Sequence, residues 1–266
     1  MRIAIMSIII ALANQKGGVG KTTTTINIAY VLAQRGYRVL AIDMDPQASL
    51  TIYFGQDPRA LEEKRKTVYW GLSRDDVNFS DCILRAPKGH ADLIPGSIQL
   101  AKAEQEFAQQ WDSVSFLKDN VASVRNQYDF ILLDCPPTVT LLTINSLVAA
   151  NSVLIPVKTD YLSIMGVPLL LETIENVRRR QNPQLDIMGI LPTMFNVRNK
   201  HDNDALTEIK ESLEPHIRVF DPINRSTHFD NAAAEGRSTL ELRPDFPAAQ
   251  NFYPLADYLI AYATKA

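Results

Sequence analysis

The stretch that decides the fold of this chain is Asn14-Gln15-Lys16-Gly17-Gly18-Val19-Gly20-Lys21-Thr22-Thr23. It lies between an apolar run that ends at Ala13 and an amphipathic run that ends at Arg35. This context predicts a strand, a glycine turn and a helix. Glycines allow successive backbone N–H groups to point into the turn and bind phosphate oxygens, and the N-terminus of the helix adds partial positive charge. The stretch therefore predicts a phosphate-binding loop.

The loop carries two lysines. The spacing places Lys21 at the β- and γ-phosphates of a nucleotide and the Thr22 hydroxyl at Mg²⁺. In the usual GxxxxGK[ST] pattern the first glycine would stand at position 15, but this chain has Gln15 there and a second lysine, Lys16, directly after it. A surface turn rich in glycine and lysine would need neither the second lysine nor paired threonines. We therefore favour a nucleotide site.

Acidic residues follow two further apolar runs. Asp43 and Asp45 lie in Asp43-Met44-Asp45-Pro46-Gln47, and Asp134 precedes Cys135-Pro136-Pro137. The carboxyl ends of parallel strands meet at one edge of the sheet, so we expect these acids near the phosphate loop. An Asp in the position of Asp134 holds Mg²⁺ directly or through water. The alternative for Asp43 and Asp45 is that they cap the next helix.

The two-lysine loop, Asp43–Gln47 and Asp134–Pro137 resemble the motifs of the ParA/MinD family of nucleotide-dependent dimerising ATPases, which carry a deviant Walker A loop. The resemblance runs from Ile8 to Ala261 and is weakest at residues 55–90. It implies ATP and Mg²⁺ as cofactors and slow, Mg-dependent hydrolysis. The resemblance assigns catalysis to Lys16, Lys21 and Asp45, and metal binding to Thr22, Asp45 and Asp134. It assigns nucleotide binding to Lys16, Gly17, Gly18, Val19, Gly20, Lys21, Thr22, Thr23 and Asn196.

Lys16 is the residue on which the predicted dimer depends. A short loop can direct only one of its two lysines at its own γ-phosphate, so the other is free for a second subunit. By the resemblance, Lys16 crosses to the phosphates of the partner subunit, and ATP then joins two subunits face to face. The resemblance also implies a ParB-like or other adaptor that stimulates hydrolysis, and a cargo that is a plasmid, a chromosome locus or a protein assembly.

Binding to DNA without sequence preference is the second expectation. The net charge is −3 and the pI about 5.8, so a DNA-binding face must be a local patch. For the three arginines at positions 178–180, the alternative is a solvated helix end that complements the helix dipole. We expect a protein of the cytoplasm associated with the nucleoid. The candidate DNA contacts are Arg178, Arg179, Arg180, Arg198, Lys200, Arg218 and Arg225.

Two other functions compete with this one. A MinD-like, membrane-associated cell-division ATPase would need a basic amphipathic tail, but Lys265 is the only basic residue after Arg243. A metabolic or metal-cluster enzyme of the same superfamily is disfavoured because the chain has only Cys82 and Cys135. We expect Cys135 to be a small buried residue, and we expect no membrane partner.

The pattern predicts one α/β domain over residues 1–266, a mostly parallel twisted sheet with helices on both faces. The apolar run before the loop could also be a secretory leader, but cleavage after Ala13 would remove the strand that positions the loop. The predicted strands are Ser7–Ala13, Tyr37–Asp43, Ala91–Gly96 with its terminating Pro-Gly pair, Tyr128–Asp134, Asn151–Val157, Asp186–Pro192 and Ile217–Phe220. The predicted helices are Thr22–Arg35, Ser97–Gln110, Ser113–Asn126, Thr138–Ala150, Gly166–Arg180, Asn203–Leu213 and Ala248–Ala263. Lys158–Ile164 is a predicted loop, and Pro222–Ser238 resembles the last loop on the nucleotide side of the family's site.

Overall fold

A parallel sheet is the core of the computed structural model, which describes residues 6–73, 77–107, 109–214 and 216–265. Within these ranges, six strands form one sheet in the order β3-β2-β4-β1-β5-β6, and neighbouring strands are parallel throughout. The α/β class predicted from the sequence is confirmed. The strands are β1 (Ile8–Leu12), β2 (Val39–Asp43), β3 (Asp92–Ile94), β4 (Phe130–Asp134), β5 (Ser152–Lys158) and β6 (Asp186–Thr193).

The strands are apolar along their length because helices cover both faces of the sheet. Side chains of a strand alternate between the two faces. In β1, Ile8, Ile10 and Leu12 pack in one hydrophobic cluster, whereas Ile9 and Ala11 pack in another on the opposite face. A strand that is buried on both sides reads as a continuous apolar run, which is the pattern that the sequence shows.

Helices and short turns account for most of the remaining described residues. None of these helices is long and apolar enough to cross a bilayer. The α-helices are α1 (Lys21–Gln34), α2 (Ser49–Tyr53), α3 (Pro58–Glu63), α4 (Val68–Leu72), α5 (Leu100–Phe107), α6 (Phe116–Val124), α7 (Leu141–Ala149), α8 (Tyr161–Met165), α9 (Val167–Arg180), α10 (Lys200–Leu213), α11 (His228–Ala234), α12 (Thr239–Leu242) and α13 (Phe252–Lys265). Short 3-10 helices occupy Phe79–Cys82, Ser113–Ser115, Arg125–Gln127 and Pro247–Ala249.

The carboxyl ends of the central strands meet at one edge of the sheet. Asp134 at the end of β4 lies in register with Leu12 of β1 and with Asp43 of β2. β1 lies between β4 and β5. The loop that follows β1 therefore lies at the point where the strand order reverses, which is where doubly wound sheets bind ligands. This arrangement brings the phosphate loop and both acidic segments to the same edge.

Three predicted elements were wrong. Lys158–Ile164 is not wholly a loop, because α8 begins within it at Tyr161, with Asp160 as a side-chain cap for the Ser163 N–H. Ile217–Phe220 is not a strand of the sheet, and Val219 makes only an isolated bridge to Ile190. The predicted loop Pro222–Ser238 contains α11. Helix α8 is too short to show a periodic apolar pattern, and the other two segments are shaped by contacts with residues distant in sequence.

The other differences are at the ends of helices and strands. The helix predicted at Ser97–Gln110 is formed only at Leu100–Phe107, and residue 108 lies outside the described residues. α10 begins at Lys200 rather than Asn203, because the Asn199 side chain accepts a hydrogen bond from the first turn. In the weakly patterned region 55–90, residues 74–76 also lie outside the described residues.

Candidate nucleotide site

The phosphate loop has a backbone that favours glycine. Gly18 and Gly20 have φ angles of 68° and 83°, in the left-handed region where other residues are strained. Gly20 is the N-cap of α1, so the free N–H groups of the first helical turn face the loop. A side-chain carbon at Gly18 would meet no atom within 4 Å. The loop is therefore open on this side and has the donors that a phosphate group requires.

Hydrogen bonds to β5 and β6 hold the loop in place. The Asn14 amide donates to the Pro156 carbonyl of β5 at 2.7 Å, and its oxygen accepts from the Lys16 N–H at 2.9 Å. The Thr193 hydroxyl at the end of β6 donates to the Val19 carbonyl at 2.8 Å. Sequence reasoning assigned no role to Asn14 or Thr193. Only the position of Asn14 at the end of an apolar strand, where a buried polar residue is unexpected, hinted at its function.

Lys21 lies inside the loop. Its side chain is buried, and Nζ donates to the carbonyls of Asn14 and Lys16, each at 3.2 Å. Burial lowers the pKa of Lys21, and the nearby carboxylate of Asp134 opposes this effect. The ammonium group is thus enclosed by the backbone that would surround a bound phosphate.

Thr22 and Asp134 form the second part of the site. The Thr22 hydroxyl donates to Asp134 Oδ2 at 2.8 Å, and the Thr25 hydroxyl donates to Oδ1 at 3.2 Å. Burial and, secondarily, the charge of Asp43 raise the pKa of Asp134 to about 8, although Thr22 and Lys21 oppose the shift. A buried carboxylate whose neighbours are hydroxyls is well suited to Mg²⁺, which binds oxygen ligands. The residues present therefore fit this cation.

Asp43 and Asp45 have different roles in the structure. Asp43 is fully buried and accepts hydrogen bonds from the Thr51 N–H at 2.9 Å and the Thr51 hydroxyl at 2.7 Å. It therefore contacts the first turn of α2, in agreement with the alternative that this acid caps the next helix. Burial raises the pKa of Asp43 to about 6. Asp45 is half-buried, and its carboxylate accepts from the Gln47 N–H at 2.9 Å. The Asp45 N–H also donates to Asp43 Oδ1 at 3.2 Å, which keeps Asp45 beside Asp43 at the end of β2.

Lys16 has a different environment from Lys21. Its ammonium group donates to Asp160 Oδ1 and to the Ser163 hydroxyl, each at 2.9 Å. Its side chain is 36% exposed, whereas Lys21 is buried. The two lysines of one short loop therefore contact different groups, one inside the loop and the other on α8 beside it.

A cavity of about 390 Å³ adjoins the loop. Asn196, the predicted base contact, is not among its lining residues; it lies in the next loop, where its side chain accepts from the Arg198 N–H at 3.1 Å. Seven of its lining residues lie in Pro222–Ser238, which the family resemblance placed on the nucleotide side, whereas Phe252 of α13 was expected only to pack in the core. The lining residues are Gly20, Thr23, Thr24, Thr193, Met194, Ile223, Asn224, Arg225, Ser226, Thr227, Phe229, Asp230 and Phe252.

The candidate DNA contacts separate into groups. Arg198, Arg225 and Lys200, the first residue of α10, lie near the carboxyl end of β6. The segments that carry Arg198 and Arg225 are joined by a 2.8 Å hydrogen bond from the Arg225 N–H to the Phe195 carbonyl.

The remaining candidates lie elsewhere. Arg178 donates to the carbonyl of Leu185, just before β6, so the arginines of α9 are at the opposite edge of the sheet. Arg178 and Arg179 also pair with Glu175, and the Arg218 guanidinium lies 4.5 Å from the Tyr258 ring centroid. The seven residues therefore do not form one continuous surface in a single chain.

The sequence matches a family model described as an AAA domain over residues 7–187. The sporulation initiation inhibitor protein Soj of Bacillus subtilis is 35% identical over 256 residues, which cover 96% of this chain and 99% of Soj. The chromosome partitioning protein ParA of Caulobacter vibrioides is 31% identical over 256 residues, 95% of this chain and 94% of that protein.

Solved structures show the same architecture. A structure described as cobyrinic acid a,c-diamide synthase from Mycobacterium smegmatis, with ADP and magnesium, has a TM-score of 0.82 and 32% identity, covering 97% of this chain and 95% of that chain. The complex of Cyanothece McdA with ATP has a TM-score of 0.86 and 25% identity, covering 96% and 97% respectively. The phosphate loop, the parallel sheet and these relatives together show that the chain belongs to the ParA/Soj family of P-loop ATPases.

Proposed function

We propose that this chain is an ATPase that dimerises with ATP and Mg²⁺, binds DNA without sequence preference, and partitions or positions a cargo. The observation that carries the proposal is the separation of the two loop lysines. Lys21 is enclosed by its own loop, whereas Lys16 is directed outward to Asp160. A lysine outside its own phosphate cradle is available to the triphosphate of a second chain.

The residues of the site have distinct tasks in this proposal. The backbone N–H groups from Gly18 to Thr23 and the Lys21 ammonium bind the phosphates, as charge-assisted donors do. Thr22 and Asp134 would hold Mg²⁺, which neutralises phosphate charge when it is bound. Asp45 orients the attacking water or the water around the metal. The cavity beside Gly20 accommodates the nucleoside, so its lining residues replace Asn196 as the leading candidates for contact with the base.

Lys16 links binding to hydrolysis in the dimer. A cation brought to the transferred phosphoryl group from a second chain would stabilise charge that develops in the transition state. Hydrolysis would then require two chains, and an adaptor that acts on the dimer would control turnover. We therefore expect slow turnover by the isolated protein.

Sedimentation velocity with Mg²⁺ and a non-hydrolysable ATP analogue tests the dimer. We expect the wild type to dimerise, and Lys16→Ala to bind the analogue but stay monomeric and lose turnover. Lys118→Ala, a change at an exposed lysine of α6, is the matched control and should behave as the wild type. A wild type that stays monomeric, or a Lys16→Ala chain that dimerises and turns over normally, would overturn the proposed dimer.

DNA binding is proposed for the group at the carboxyl end of β6, Arg198, Lys200 and Arg225. Because Arg225 also lines the nucleotide cavity, the test reverses only the charges of Arg198 and Lys200. This double variant should lose most ATP-dependent retention of DNA of unrelated sequences, and retention by the wild type should fall steeply with salt. Arg179→Glu, at the opposite edge of the sheet, is the control. If only Arg179→Glu weakens retention, the surface lies on α9 instead.

The cargo and location are proposed from the relatives. The Soj ATPase of Treponema pallidum and the ParA protein of Caulobacter vibrioides are named for chromosome partitioning, and McdA is a further neighbour. We propose a cytoplasmic, nucleoid-associated protein that acts with a ParB-like or other adaptor. Cosedimentation with DNA or with liposomes, in the presence of ATP, separates this role from a MinD-like one. The packing of Phe252, Leu255 and Leu259 of α13 in the core supports the DNA outcome.

One structural neighbour is described as a diamide synthase, which suggests a second candidate function, ATP-dependent amide synthesis. Such an enzyme needs a nitrogen donor, and a thiol nucleophile is one means of releasing ammonia from glutamine. Both cysteines of this chain are buried, Cys135 as predicted, and burial raises their pKa values, to about 11 for Cys82 and about 12 for Cys135. Neither thiol is suited to this chemistry. Amide formation from cobyrinic acid with glutamine or ammonia would favour this candidate.

A further inference from the structure

The Asp160 carboxylate is shared by two lysines. Lys16 Nζ lies 2.9 Å from Oδ1, and Lys158 Nζ lies 3.0 Å from Oδ2. Burial disfavours the charged form of Asp160, but the hydrogen bonds from Lys16, Lys158 and Ser163 outweigh it and lower its pKa. One carboxylate thus has a separate cation on each oxygen.

The same carboxylate caps α8. Asp160 Oδ1 accepts from the Ser163 N–H at 2.8 Å, and the Ser163 hydroxyl accepts from Lys16 at 2.9 Å. If Lys16 leaves, Oδ1 keeps the backbone donor of Ser163 and Oδ2 keeps Lys158. The carboxylate would therefore remain partnered without Lys16, and α8 would keep its cap.

The surface beside this cluster is apolar. Tyr161, Leu162 and Met165 of α8 are 62%, 71% and 59% exposed. In the proposed dimer Lys16 reaches a second copy of the chain, so the surface around Lys16 is the one that the second copy approaches. A carboxylate left without a cation under such a contact is costly, because burial removes its water.

We propose that Asp160 holds Lys16 in the free chain, and that Lys158 neutralises Asp160 when Lys16 crosses to a second copy. Asp160 and Lys158 are positioning residues, because they act through Lys16 and not on the phosphates. Asp160 opposes dimerisation by retaining Lys16, whereas Lys158 favours it by competing for the same carboxylate. This inference rests on the proposed function, since Lys16 has a destination only if the chain dimerises.

The two residues give variants with opposite expected effects. Asp160→Asn removes the charge but retains a good capping residue. It should lower the dimer dissociation constant about 3- to 10-fold, measured by sedimentation with Mg²⁺ and a non-hydrolysable ATP analogue. Lys158→Gln leaves Lys16 as the only lysine on Asp160 and should raise that constant by a similar factor. The double variant should match Asp160→Asn, because Lys158 acts only through Asp160.

A matched control removes the charge of a different carboxylate, one on α9. Glu175→Gln on α9 also breaks contacts with two cations, those of Arg178 and Arg179, but does not touch Lys16. It should leave the dissociation constant unchanged. The proposal is overturned if Asp160→Asn weakens the dimer or leaves it unchanged, or if Lys158→Gln still acts in the absence of Asp160.

A second measurement needs no dimer. Without nucleotide, the rate at which Lys16 is acetylated can be compared with that of exposed Lys118 by peptide mass spectrometry. We expect Asp160→Asn to raise the Lys16 rate several-fold and Lys158→Gln not to raise it. If the wild type fails to dimerise but this effect is present, the proposed function fails while the retention of Lys16 stands. An unchanged Lys16 rate in Asp160→Asn would refute the retention itself.

Discussion

The hydroxyl of Thr22 donates a 2.8 Å hydrogen bond to the buried carboxylate of Asp134, which is 112 residues away along the chain. The contact joins the first turn of α1 to the end of β4. When no metal ion is bound, two hydroxyl donors and the nearby Lys21 charge offset the burial of the Asp134 carboxylate. The site therefore holds a destabilising acid that a metal would stabilise.

This burial makes the nucleotide-free protein sensitive to pH. The pKa of Asp134 in the folded chain is about 8, above the value of about 4 expected in the unfolded chain. The folded chain thus binds the proton more tightly, and the free energy of unfolding falls as the pH rises between these values. Between pH 6 and 8, without nucleotide or Mg²⁺, the melting temperature of the wild type should fall by several degrees.

Asp134→Asn tests whether Asp134 causes this pH dependence of the melting temperature. It retains an acceptor for Thr22 and Thr25 but has no proton to lose, so the fall in melting temperature should be smaller by about 3 °C or more. Asp43, with a pKa of about 6, contributes mainly below this range and leaves some residual slope. Equal slopes for the wild type and Asp134→Asn would assign the pH dependence to other groups.

Lys21 should matter for nucleotide binding and not for folding. Lys21→Met keeps a buried aliphatic side chain and removes an ammonium that burial disfavours. We expect ATP affinity, measured with a fluorescent analogue, to fall by about 100-fold, or about 2.8 kcal/mol. The melting temperature without nucleotide should not fall. Lys16→Ala should bind the analogue as a monomer with near-normal affinity, and a similar loss in both variants would contradict the separate roles of the lysines.

Thr193 is expected to stabilise the loop from a distance. Thr193→Val keeps the shape of the side chain but leaves the Val19 carbonyl without its 2.8 Å donor. The cost should be about 1 kcal/mol, observed as a fall of about 2–4 °C in melting temperature. ATP affinity should fall as well, because Val19 precedes Gly20 in the loop and Thr193 itself lines the cavity. Loss of stability with unchanged affinity would show that this bond supports β6 and not the loop.

Gly236 and Gly36 provide a matched pair for close backbone packing. Both have positive φ, 66° and 85°, but a side-chain carbon at Gly236 would lie 2.5 Å from the Gly55 Cα, whereas one at Gly36 meets nothing within 4 Å. Gly36→Ala should cost only the backbone strain of about 1–2 kcal/mol. Gly236→Ala should cost about 3 kcal/mol or more, since overpacking adds to the strain. Urea unfolding measures both, and equal costs would indicate that the chain yields at Gly55.

The phosphate loop and the central strands were predictable because contiguous residues carry their signals. The glycines and lysines of the loop, and the apolar run before Asp134, follow directly from local geometry and burial on both faces. Helix α8 was not predictable, because five residues form it only with the Asp160 cap and the burial of Ser163 and Ile164. The base contact at Asn196 remains a prediction, and the structure offers a different set of cavity residues for this role.

The sequence by itself determined the class of fold, the phosphate loop and the acids at the ends of β2 and β4. Tertiary structure decided which groups those residues meet. Lys16 meets Asp160, 144 residues away, and Val19 meets Thr193, 174 residues away. The physical reason is that strand, turn and helix propensities act between near neighbours, whereas ion pairs and buried hydrogen bonds join segments that only the packed sheet brings together.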